Sequence, residues 1–293
     1  MNFQALIGDF TQALGSKGRA KATIIAYKKD LEQFVEYLHN QKIQSPIEIE
    51  QKHIELFLSE IQIKYNLTLK TVSRKINSIR TFFKYLLTKK LVKENLSLKI
   101  IHPQLIPHAP RILSSLEYRA IRDAARLNIK YYTMIELILQ TGIRISELSA
   151  LKVKDVNFIS DTKATLSISA YSSVPKRTIE LNQMAVIALK EYFEKVINNK
   201  KGTEDALFFT KNGGGILIRN IRAGFEGIFK KAGIKGITVN DLRNTFIVYQ
   251  LQNGVPLAKV AEVVGHQKLA TTERYLKLLE KEPERLQRNV VPL

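Results

Sequence analysis

Residues 141 to 148 read Thr-Gly-Ile-Arg-Ile-Ser-Glu-Leu and follow an apolar run at 131–140. The run predicts a buried helix, and the glycine directly behind it is a typical helix end. Beyond the glycine, Arg144 and Glu147 are three residues apart, the spacing at which side chains on a helix are neighbours. Such a pair is usually structural. Glu147 therefore either pairs with Arg144 or orients it toward a ligand, and the two interpretations are compatible.

A second arginine lies in a helix whose two ends are marked in the sequence. Thr238 and Asp241 have the spacing of a capping box, and the glycine at 254 is a typical helix end. These signals predict a helix over 239–252 that carries Arg243. Taken alone, an arginine in such an apolar neighbourhood usually forms a structural ion pair.

A histidine and a tyrosine follow in two short segments farther along the chain. Pro256 predicts the start of a short helix that ends at Gly265, and His266 comes directly after that glycine. A further helix is predicted over 271–281, and it contains Tyr275. Separately, a histidine after a glycine is usually part of a helix cap, and such a tyrosine is usually half-buried core. Only the four side chains together suggest a site.

The composition indicates a polyanionic partner. The 293 residues contain 46 Lys and Arg against 27 Asp and Glu, which gives a net charge of +19. Such an excess favours nucleic acid or an anionic membrane surface. No run of about 18 apolar residues exists, so nothing is expected to span a bilayer. The segment Met1–Gln4 lacks a signal-peptide layout, so we expect a cytoplasmic protein that meets nucleic acid.

The residues available exclude several kinds of chemistry. The chain has no cysteine, which rules out disulfides, thiolate chemistry and cysteine zinc sites. Its five histidines are scattered and no carboxylate pair has ligand spacing, so no metal site is predicted and metal-dependent nucleases are disfavoured. Gly213-Gly214-Gly215 lacks the following Lys-Ser/Thr of a phosphate loop and is interpreted as a turn.

Three prolines within residues 103–110 divide the chain. Proline removes a backbone donor and biases the preceding residue toward extended structure, so residues 100–113 are predicted to be a linker. A helical DNA-binding domain is then expected over 1–99 and a second domain over 114–293. Both sides of the linker are basic, which suits two lobes that embrace a duplex.

The first domain is predicted to be all-helical. Its helices include 22–37, with Ile25 among the apolar positions, and one near 54–61, with Leu56 among them. A third helix, 71–87, has a cationic face, and no acidic residue occurs between positions 60 and 94. A face of this kind favours contact with phosphates over simple solvation. The candidate DNA-binding residues are Lys70, Arg74, Lys75, Arg80 and Lys84.

The second domain is predicted to mix helices with a small sheet. Runs at 164–168 and 177–181 have strand character, and the residues between them are predicted to form a hairpin turn. Helices are expected over 185–197 and 220–231.

The four side chains, in this order and spacing, resemble the tyrosine recombinases of the phage-integrase and Xer-like family. The strongest match is Thr-Gly-x-Arg-x-Ser-Glu-Leu, and the nine-residue gap from His266 to Tyr275 is also similar to the family. The first domain resembles the family's core-binding domain, with a threonine-then-tyrosine helix and an Arg-x-x-x-x-x-Arg helix. The resemblance covers nearly the whole chain. It implies a mainly α fold with a small β-sheet, in which a helical SAM-like domain precedes a mixed α/β catalytic domain.

The resemblance also implies a mechanism and partners. Tyr275 would attack a DNA phosphodiester to form a 3′-phosphotyrosine, while Arg144 and Arg243 stabilise the phosphate and His266 donates a hydrogen bond to it. Neither metal nor ATP is needed, so no cofactor is expected. The partners would be double-stranded DNA with specific recombination sites and three further copies of the chain, in a homo-tetramer that exchanges strands through a Holliday junction.

The sequence departs from the family at the acid–base positions. The family's His-x-Leu-Arg-His has Asn240 and Asn244 at its two histidine positions, and asparagine cannot titrate near neutral pH. The family's hairpin lysine is expected around 171–173, where none stands. Lys176 is the nearest replacement, with Lys163 farther off, and Lys176 is equally well explained as a solvated turn lysine.

These departures leave rival functions open. One is a catalytically weakened DNA-binding protein on the same fold, and another is DNA relaxation of the type IB topoisomerase kind. A third, a basic architectural or RNA-binding protein, is disfavoured. The tail 276–293 is predicted to dock through Leu276, Leu278, Leu279 and Leu286, either on a neighbouring protomer or on its own domain.

Overall fold

The computed structural model divides into two compact units, residues 1–108 and 109–293. The division falls inside the segment 100–113 that was predicted to be a linker. Ile100 is buried in the core of the first unit and Leu113 in that of the second, so packed structure extends into the predicted linker from both sides. The structure describes residues 2–105, 109–170, 174–199 and 205–279, and the linker residues 106–108 lie outside these ranges.

The first unit has four α-helices among its described residues, and side-chain hydrogen bonds cap the first and the fourth. The side chain of Asn2 accepts from the backbone N–H of Gln4 at the start of the first helix, and Thr68 caps the fourth by accepting from Thr71. Short 3₁₀ turns occupy 46–48 and 96–99. The helices are α1 (Phe3–Ser16), α2 (Lys21–Asn40), α3 (Gln51–Lys64) and α4 (Leu69–Thr88).

Two apolar positions predicted for the first unit do not face its core. Ile25 is 66% exposed and Leu56 is 57% exposed. On α2 the inward stripe contains Leu31, and Ile24, two turns earlier, packs against the core in place of Ile25. On α3 the inward positions are 54, 57, 58 and 61, and Leu56 lies between them on the outer face.

The second unit contains eight helices among its described residues and a small sheet. The helix Gln183–Tyr192 continues into a π-helical turn over Phe193–Ile197. The elements are α5 (Ser115–Ala125), α6 (Ile129–Thr141), α7 (Ile145–Ala150), β1 (Val156–Phe158), β2 (Ala164–Ile168), β3 (Arg177–Leu181), α8 (Gln183–Tyr192), α9 (Ile218–Lys231), α10 (Val239–Gln252), α11 (Leu257–Val264) and α12 (Leu269–Leu279).

The sheet is antiparallel in the order β1-β2-β3. The strands β2 and β3 have the predicted bounds, and Ile168 pairs with Arg177 at the turn end of their hairpin. The turn residues 171–173 lie outside the described part of the chain. Together with the helices this sheet confirms the predicted fold class, which is mainly α with a small β-sheet. No helix among the described residues is long and apolar enough to cross a membrane.

The glycine after α6 allows the chain to pass close to α10 and to the end of α11. Gly142 has φ +62°, and a Cβ there would lie 2.9 Å from a methyl carbon of Val264 and would also collide with Phe246. Only glycine combines this left-handed backbone with so close an approach. The chain therefore turns directly from α6 into the start of α7, beside α10 and the end of α11.

Candidate active site

Two of the predicted arginines meet at the end of α11. Arg144 donates from Nη1 to the carbonyl of Val264 at 3.2 Å and from Nη2 to the carbonyl of Gly265 at 2.7 Å. Arg243 donates from Nη2 to the same Val264 carbonyl at 2.8 Å. The last carbonyls of a helix have no partner within it and carry partial negative charge, so cations are stabilised there. His266 is the next residue, so the structure brings these three predicted side chains together.

Arg144 is held by its position as the N-cap of α7. Its backbone is extended, with φ −78° and ψ 150°, and its N–H donates to Glu147 Oε2 at 2.8 Å. The same glutamate receives a side-chain hydrogen bond from Arg144 Nη1 at 3.2 Å. Both sequence-based interpretations of Glu147 thus describe the same contact, because the residue pairs with Arg144 and orients it.

Arg243 lies in the second turn of α10 and is buried. Its Nη1 donates to the carbonyl of Gly142, directly before the segment that carries Arg144. Burial, and then the neighbouring Arg144 guanidinium, lower the pKa of Arg243 to about 9. The side chain therefore stays protonated at neutral pH, in a site that already holds a second positive charge.

His266 follows the left-handed Gly265, which has φ +68°. Its backbone N–H donates to the carbonyl of Ala261 at 2.9 Å, and its Nδ1 is 2.8 Å from the buried hydroxyl of Thr272. Burial, followed by the charges of Arg243 and Arg144, lowers the pKa of the imidazole to about 4. The ring is therefore neutral at pH 7 and is oriented by Thr272.

Tyr275 on α12 is half-buried beside this histidine. The two rings are nearly parallel, at 15°, with centroids 6.4 Å apart. The phenol donates to Oδ1 of Asn244 at 2.8 Å, so its oxygen is in a polar setting. Burial raises the pKa of the phenol, and the nearby Arg243 and Arg274 oppose that rise.

The two asparagines of α10 have different surroundings. Asn244 accepts from Tyr275 and donates from Nδ2 to Asp241 Oδ1 at 3.3 Å. Asn240 lies one turn earlier on the same helix and is exposed, and its side chain makes no hydrogen bond within the described residues. Asn240 is therefore accessible to a ligand, whereas Asn244 is already engaged by the tyrosine.

The two candidate lysines are at opposite ends of the hairpin. Lys176 is exposed and directly precedes Arg177 at the turn end. Lys163 precedes β2 at the other end of the hairpin. It is five residues from Ile168, and at the rise of a β-strand this separates their Cα atoms by about 17 Å. Since Ile168 pairs with Arg177, Lys163 is too far from the arginines to reach their ligand, and Lys176 is the lysine nearer to them.

Sequence analysis missed a third arginine in this site. Arg177 was identified only as the first residue of β3, yet its side chain is 9% exposed. It donates from Nε to the carbonyl of Val263 at 2.7 Å and from Nη1 and Nη2 to the two oxygens of Glu147, at 2.8 and 2.9 Å. The available signal was Glu147 itself, because a carboxylate buried beside an apolar helix requires a second cationic partner.

We call Arg144, Arg177 and Arg243, grouped around the carbonyls of 263–265, the guanidinium site. Glu147 is the one carboxylate that these arginines contact in the described residues. Burial opposes its ionisation, but hydrogen bonds from Arg177 and from the backbone of Arg144 keep its pKa below the ordinary value. Three guanidiniums against one carboxylate leave a net positive charge, so the site can bind an anion such as a phosphodiester.

The predicted DNA-binding residues of α4 are not equally available. Lys75 is 4% exposed, and its ammonium bonds to Asp30 Oδ1 at 2.9 Å. Arg74 contacts the same carboxylate. Arg80 donates to the carbonyls of Ser97 and Ile100, at 3.0 and 2.6 Å. Lys70 and Lys84 are exposed, and Arg74 keeps 42% of its side chain exposed although it is paired with Asp30.

The described residues contain no cluster of three or more histidine or acidic side chains able to hold a metal ion. What they bring together is a set of guanidinium donors, a neutral imidazole and a phenol.

Two family models match the chain. One, described as "Phage integrase family", matches residues 108–282, and the other, "Phage integrase, N-terminal SAM-like domain", matches residues 6–93. The matched segments correspond to the second and first units and together include the four side chains that were first identified.

Curated relatives match along nearly their whole length. The chain is 30% identical over 283 residues to tyrosine recombinase XerC of Bacillus licheniformis, covering 94% of this chain and 91% of that one. It is 29% identical over 280 residues to tyrosine recombinase XerD of Listeria innocua, covering 92% and 93%.

Solved structures share the fold. A XerH site-specific recombinase bound to difH substrate, in a pre-cleavage complex, aligns with a TM-score of 0.73 at 21% identity over 96% of this chain and 83% of that one. A lambda integrase tetramer bound to a Holliday junction aligns with a TM-score of 0.73 at 16% identity over 94% and 77%.

Proposed function

Because the chain belongs to the phage integrase family of site-specific tyrosine recombinases, we propose that it cuts and rejoins DNA through Tyr275. In this proposal Tyr275 is the nucleophile, and Arg144 and Arg243 bind the non-bridging oxygens of the scissile phosphate. The product of cleavage is a 3′-phosphotyrosine. The substrate is double-stranded DNA with specific recombination sites.

One observation carries the proposal. The four residues come from four separate segments of the second unit, and the backbone of 264–266 links them. The carbonyl of Val264 accepts from both arginines, and the imidazole two residues later lies parallel to the ring of Tyr275. A structural ion pair would explain one arginine but not a second one converging on the same carbonyl beside a histidine and a tyrosine.

The proposed reaction has two balanced steps. The phenol oxygen of Tyr275 bonds to phosphorus and releases its proton to water, while the bond from phosphorus to the 5′ oxygen breaks and that oxygen takes up a proton from Lys176. In the second step the 5′ hydroxyl of another strand attacks phosphorus and the phenol leaves. The phosphotyrosine ester conserves the energy of the phosphodiester, so the exchange requires no ATP.

The arginines would lower the barrier to both steps. The pentavalent transition state carries more negative charge than the diester, and two pre-oriented guanidiniums offset that charge. Among the described residues, hydrogen bonds engage three N–H groups of Arg144 and two of Arg243. Because a guanidinium has five N–H groups, both arginines have donors left for phosphate oxygens.

The remaining roles are assigned by reach and chemistry. Lys176 is the proposed acid for the leaving 5′ oxygen, because it is exposed and directly precedes Arg177. Asn240 donates a hydrogen bond to the phosphate from the exposed face of α10. His266, neutral at pH 7, acts as a hydrogen-bond donor rather than a charged clamp. Glu147 orients Arg144.

We further propose that the chain acts in the cytoplasm as a homo-tetramer on paired DNA sites. The lambda integrase structure that shares this fold is described as a tetramer bound to a Holliday junction. The net charge of +19 suits an assembly built on DNA. Of the predicted docking segment 276–293, residues 276–279 form the end of α12, with Leu276 exposed, and residues from 280 onward lie outside the described part of the chain.

A covalent-trapping assay tests the reaction. DNA sites are first selected from a random-sequence pool with the full-length chain, and then prepared with a nick beside the cleavage position so that the released fragment diffuses away. We expect a denaturation-resistant protein–DNA adduct with the wild type and none with Tyr275→Phe. The matched control is Tyr249→Phe on α10, which should form the adduct at the wild-type rate. Adduct formation by Tyr275→Phe would refute the assignment.

A second candidate is a DNA-binding protein with weakened catalysis. It is favoured by Asn240 and Asn244 at the two histidine positions, and by the hydrogen bond that holds the phenol against Asn244. Tight site-specific binding without any adduct would support this candidate. Where an adduct does form, a plasmid with two sites separates strand exchange, which changes its connectivity, from relaxation, which changes only its supercoiling.

A further inference from the structure

We propose that Arg177 is a positioning residue of this reaction, which keeps Arg144 and the backbone of 263–265 in the geometry that binds the phosphate. The inference rests on the proposed function, because it assigns Arg177 a part in the same site. Arg177 would not contact the DNA. It would act through Glu147 and through the carbonyl of Val263.

The contacts of Arg177 connect three elements. From β3 it reaches both oxygens of Glu147 on α7, and its Nε reaches the carbonyl of Val263 near the end of α11. The three consecutive carbonyls of 263–265 therefore each accept from a guanidinium. Val263 accepts from Arg177, Val264 from Arg144 and Arg243, and Gly265 from Arg144. Removing Arg177 would leave the first carbonyl of this row without its partner.

Arg177 also sets the charge that Arg144 can present to a ligand. Oε1 of Glu147 is 2.8 Å from Arg177 Nη1 and 3.2 Å from Arg144 Nη1, so the carboxylate pairs more closely with Arg177. Without Arg177, the whole negative charge of Glu147 would fall on Arg144. The carboxylate would then compete with phosphate for the same guanidinium.

The contacts of Arg177 point to a supporting role rather than a direct one on phosphate. Its side chain is 9% exposed, and all three of its nitrogens are engaged by Glu147 and Val263. Gly265 confirms how tightly it fits, because a Cβ there would be 2.8 Å from Arg177 Nη1 and 3.1 Å from Arg144 Nη1.

The contacts of Arg177 also fix the backbone position from which the Lys176 side chain extends, because Lys176 directly precedes Arg177. A lysine side chain on a free loop samples a wide volume, whereas this one begins from a residue tied to α7 and α11. Arg177 therefore brings the hairpin to the site as well as orienting Arg144.

The test compares Arg177→Met and Arg177→Lys with a matched control, Arg122→Met. Arg122 forms another Arg–Glu pair in the second unit, with the fully buried Glu136, away from the guanidinium site. The first readout is the single-turnover rate of adduct formation on the nicked site. We expect Arg177→Met to slow it by about 10- to 100-fold, the usual cost of removing an orienting partner, while DNA affinity stays within about 3-fold. Arg177→Lys should recover part of the rate. The folded fraction of Arg122→Met should form the adduct at the wild-type rate.

A double variant separates positioning from general damage. In Arg177→Met with Glu147→Gln, the carboxylate no longer neutralises Arg144. We expect the Arg177→Met substitution to cost clearly less in this background than alone. Equal costs in both backgrounds, or a rate for Arg177→Met equal to that of the wild type, would overturn the inference.

A readout without DNA keeps the two proposals distinguishable. Titration with inorganic phosphate, followed by the ¹⁵N side-chain signals of the arginines, reports the guanidinium site even if no adduct ever forms. We expect phosphate to shift the Arg144 signals, with at least about 10-fold weaker binding in Arg177→Met and unchanged binding in Arg122→Met. Absence of an adduct with the wild type refutes the proposed function. Equal phosphate binding by Arg177→Met and the wild type refutes the role of Arg177.

Discussion

The cationic face of α4 and the guanidinium site are built from the same kinds of side chain but use them differently. On α4, Lys75 and Arg74 share the carboxylate of Asp30, and Arg80 is held by two carbonyls of the following turn. Most of that positive charge stabilises the first unit. In the guanidinium site, three arginines outnumber one carboxylate and line a row of carbonyls, which leaves donors free on Arg144 and Arg243.

The difference shows what a run of positive residues does and does not indicate. Charge density along a helix predicts a basic surface, but it does not show which members have partners inside the fold. The order of two arginines, a histidine and a tyrosine along the chain was a better predictor than charge density. It predicted Arg144 and Arg243 of the guanidinium site, because it specified the type of each side chain as well as its charge. The following predictions test this contrast, starting with the largest expected effect.

Replacing Arg243 with lysine keeps the charge and removes the planar fork. We expect adduct formation to slow by about 100- to 1000-fold, with little change in DNA affinity, because a lysine offers one point of contact where arginine offers two. Single-turnover trapping on the nicked site measures the rate. Arg219→Lys, at an exposed position on α9, is the control and should leave the rate unchanged. Equal rates for the two variants would show that the buried arginine does not stabilise the transition state.

Replacing Lys75 with methionine should affect folding rather than chemistry. Asp30 would remain buried with only Arg74 beside it, and removing one partner of a buried ion pair costs about 3 kcal/mol of unfolding free energy. Urea unfolding measures this loss, and the adduct rate of the folded fraction should be unchanged. Lys70→Met on the exposed side should cost almost nothing. A stable Lys75→Met with weakened DNA binding would instead place Lys75 at the DNA.

Acid should destabilise the second unit through His266. The pKa of this imidazole is about 4 in the folded chain and about 6.5 in an unfolded one. Between these values the unfolded chain binds the extra proton, so this contribution to stability is complete above pH 6.5 and is lost as the pH falls toward 4. Unfolding free energy measured across this range should fall less steeply for His266→Asn than for the wild type. His102 in the first unit, whose pKa burial also lowers, remains in both chains and cancels in the comparison. Superimposable curves would contradict the assignment.

The smallest effects are expected at the exposed cations of α4. Lys70→Ala and Lys84→Ala should each weaken DNA binding a few-fold, uniformly across sequences, and lower the salt dependence of log K by about 1, if each contacts a phosphate. Binding measured at several salt concentrations tests this. Lys195→Ala, a surface lysine paired with Glu191 in the second unit, is the control. If neither substitution changed the dependence of log K on log salt concentration, neither lysine would contact a phosphate.

Local signals in the sequence predicted much of the fold. The capping box at Thr238 and Asp241 predicted the start of α10 and the glycine at 254 predicted its end, and the strands β2 and β3 have their predicted bounds. The strand β1 was not predicted, because three residues are too short to show a period. Signals that lie within one element are readable from the chain alone.

The unpredicted parts of the site depend on partners far apart in sequence. Arg177 is 30 residues from Glu147, and Lys75 is 45 residues from Asp30. No local pattern distinguishes an arginine that orients a neighbour from one on a strand edge, or a lysine that is buried from one in water. The assignments of Arg144, Arg243, His266 and Tyr275 as catalytic residues stay predictions, although the structure brings all four into one site.

The row of carbonyls at 263–265 has a consequence for how the site can change. Every amino acid supplies the same main-chain oxygen, so no point mutation can delete these acceptors directly. Mutations can change the arginines or the path of the backbone. The carbonyl oxygens that align the arginines are present whatever side chains stand at 263 and 264. A change in the backbone path would move these acceptors, and a side chain at Gly265, where none fits, would force such a change.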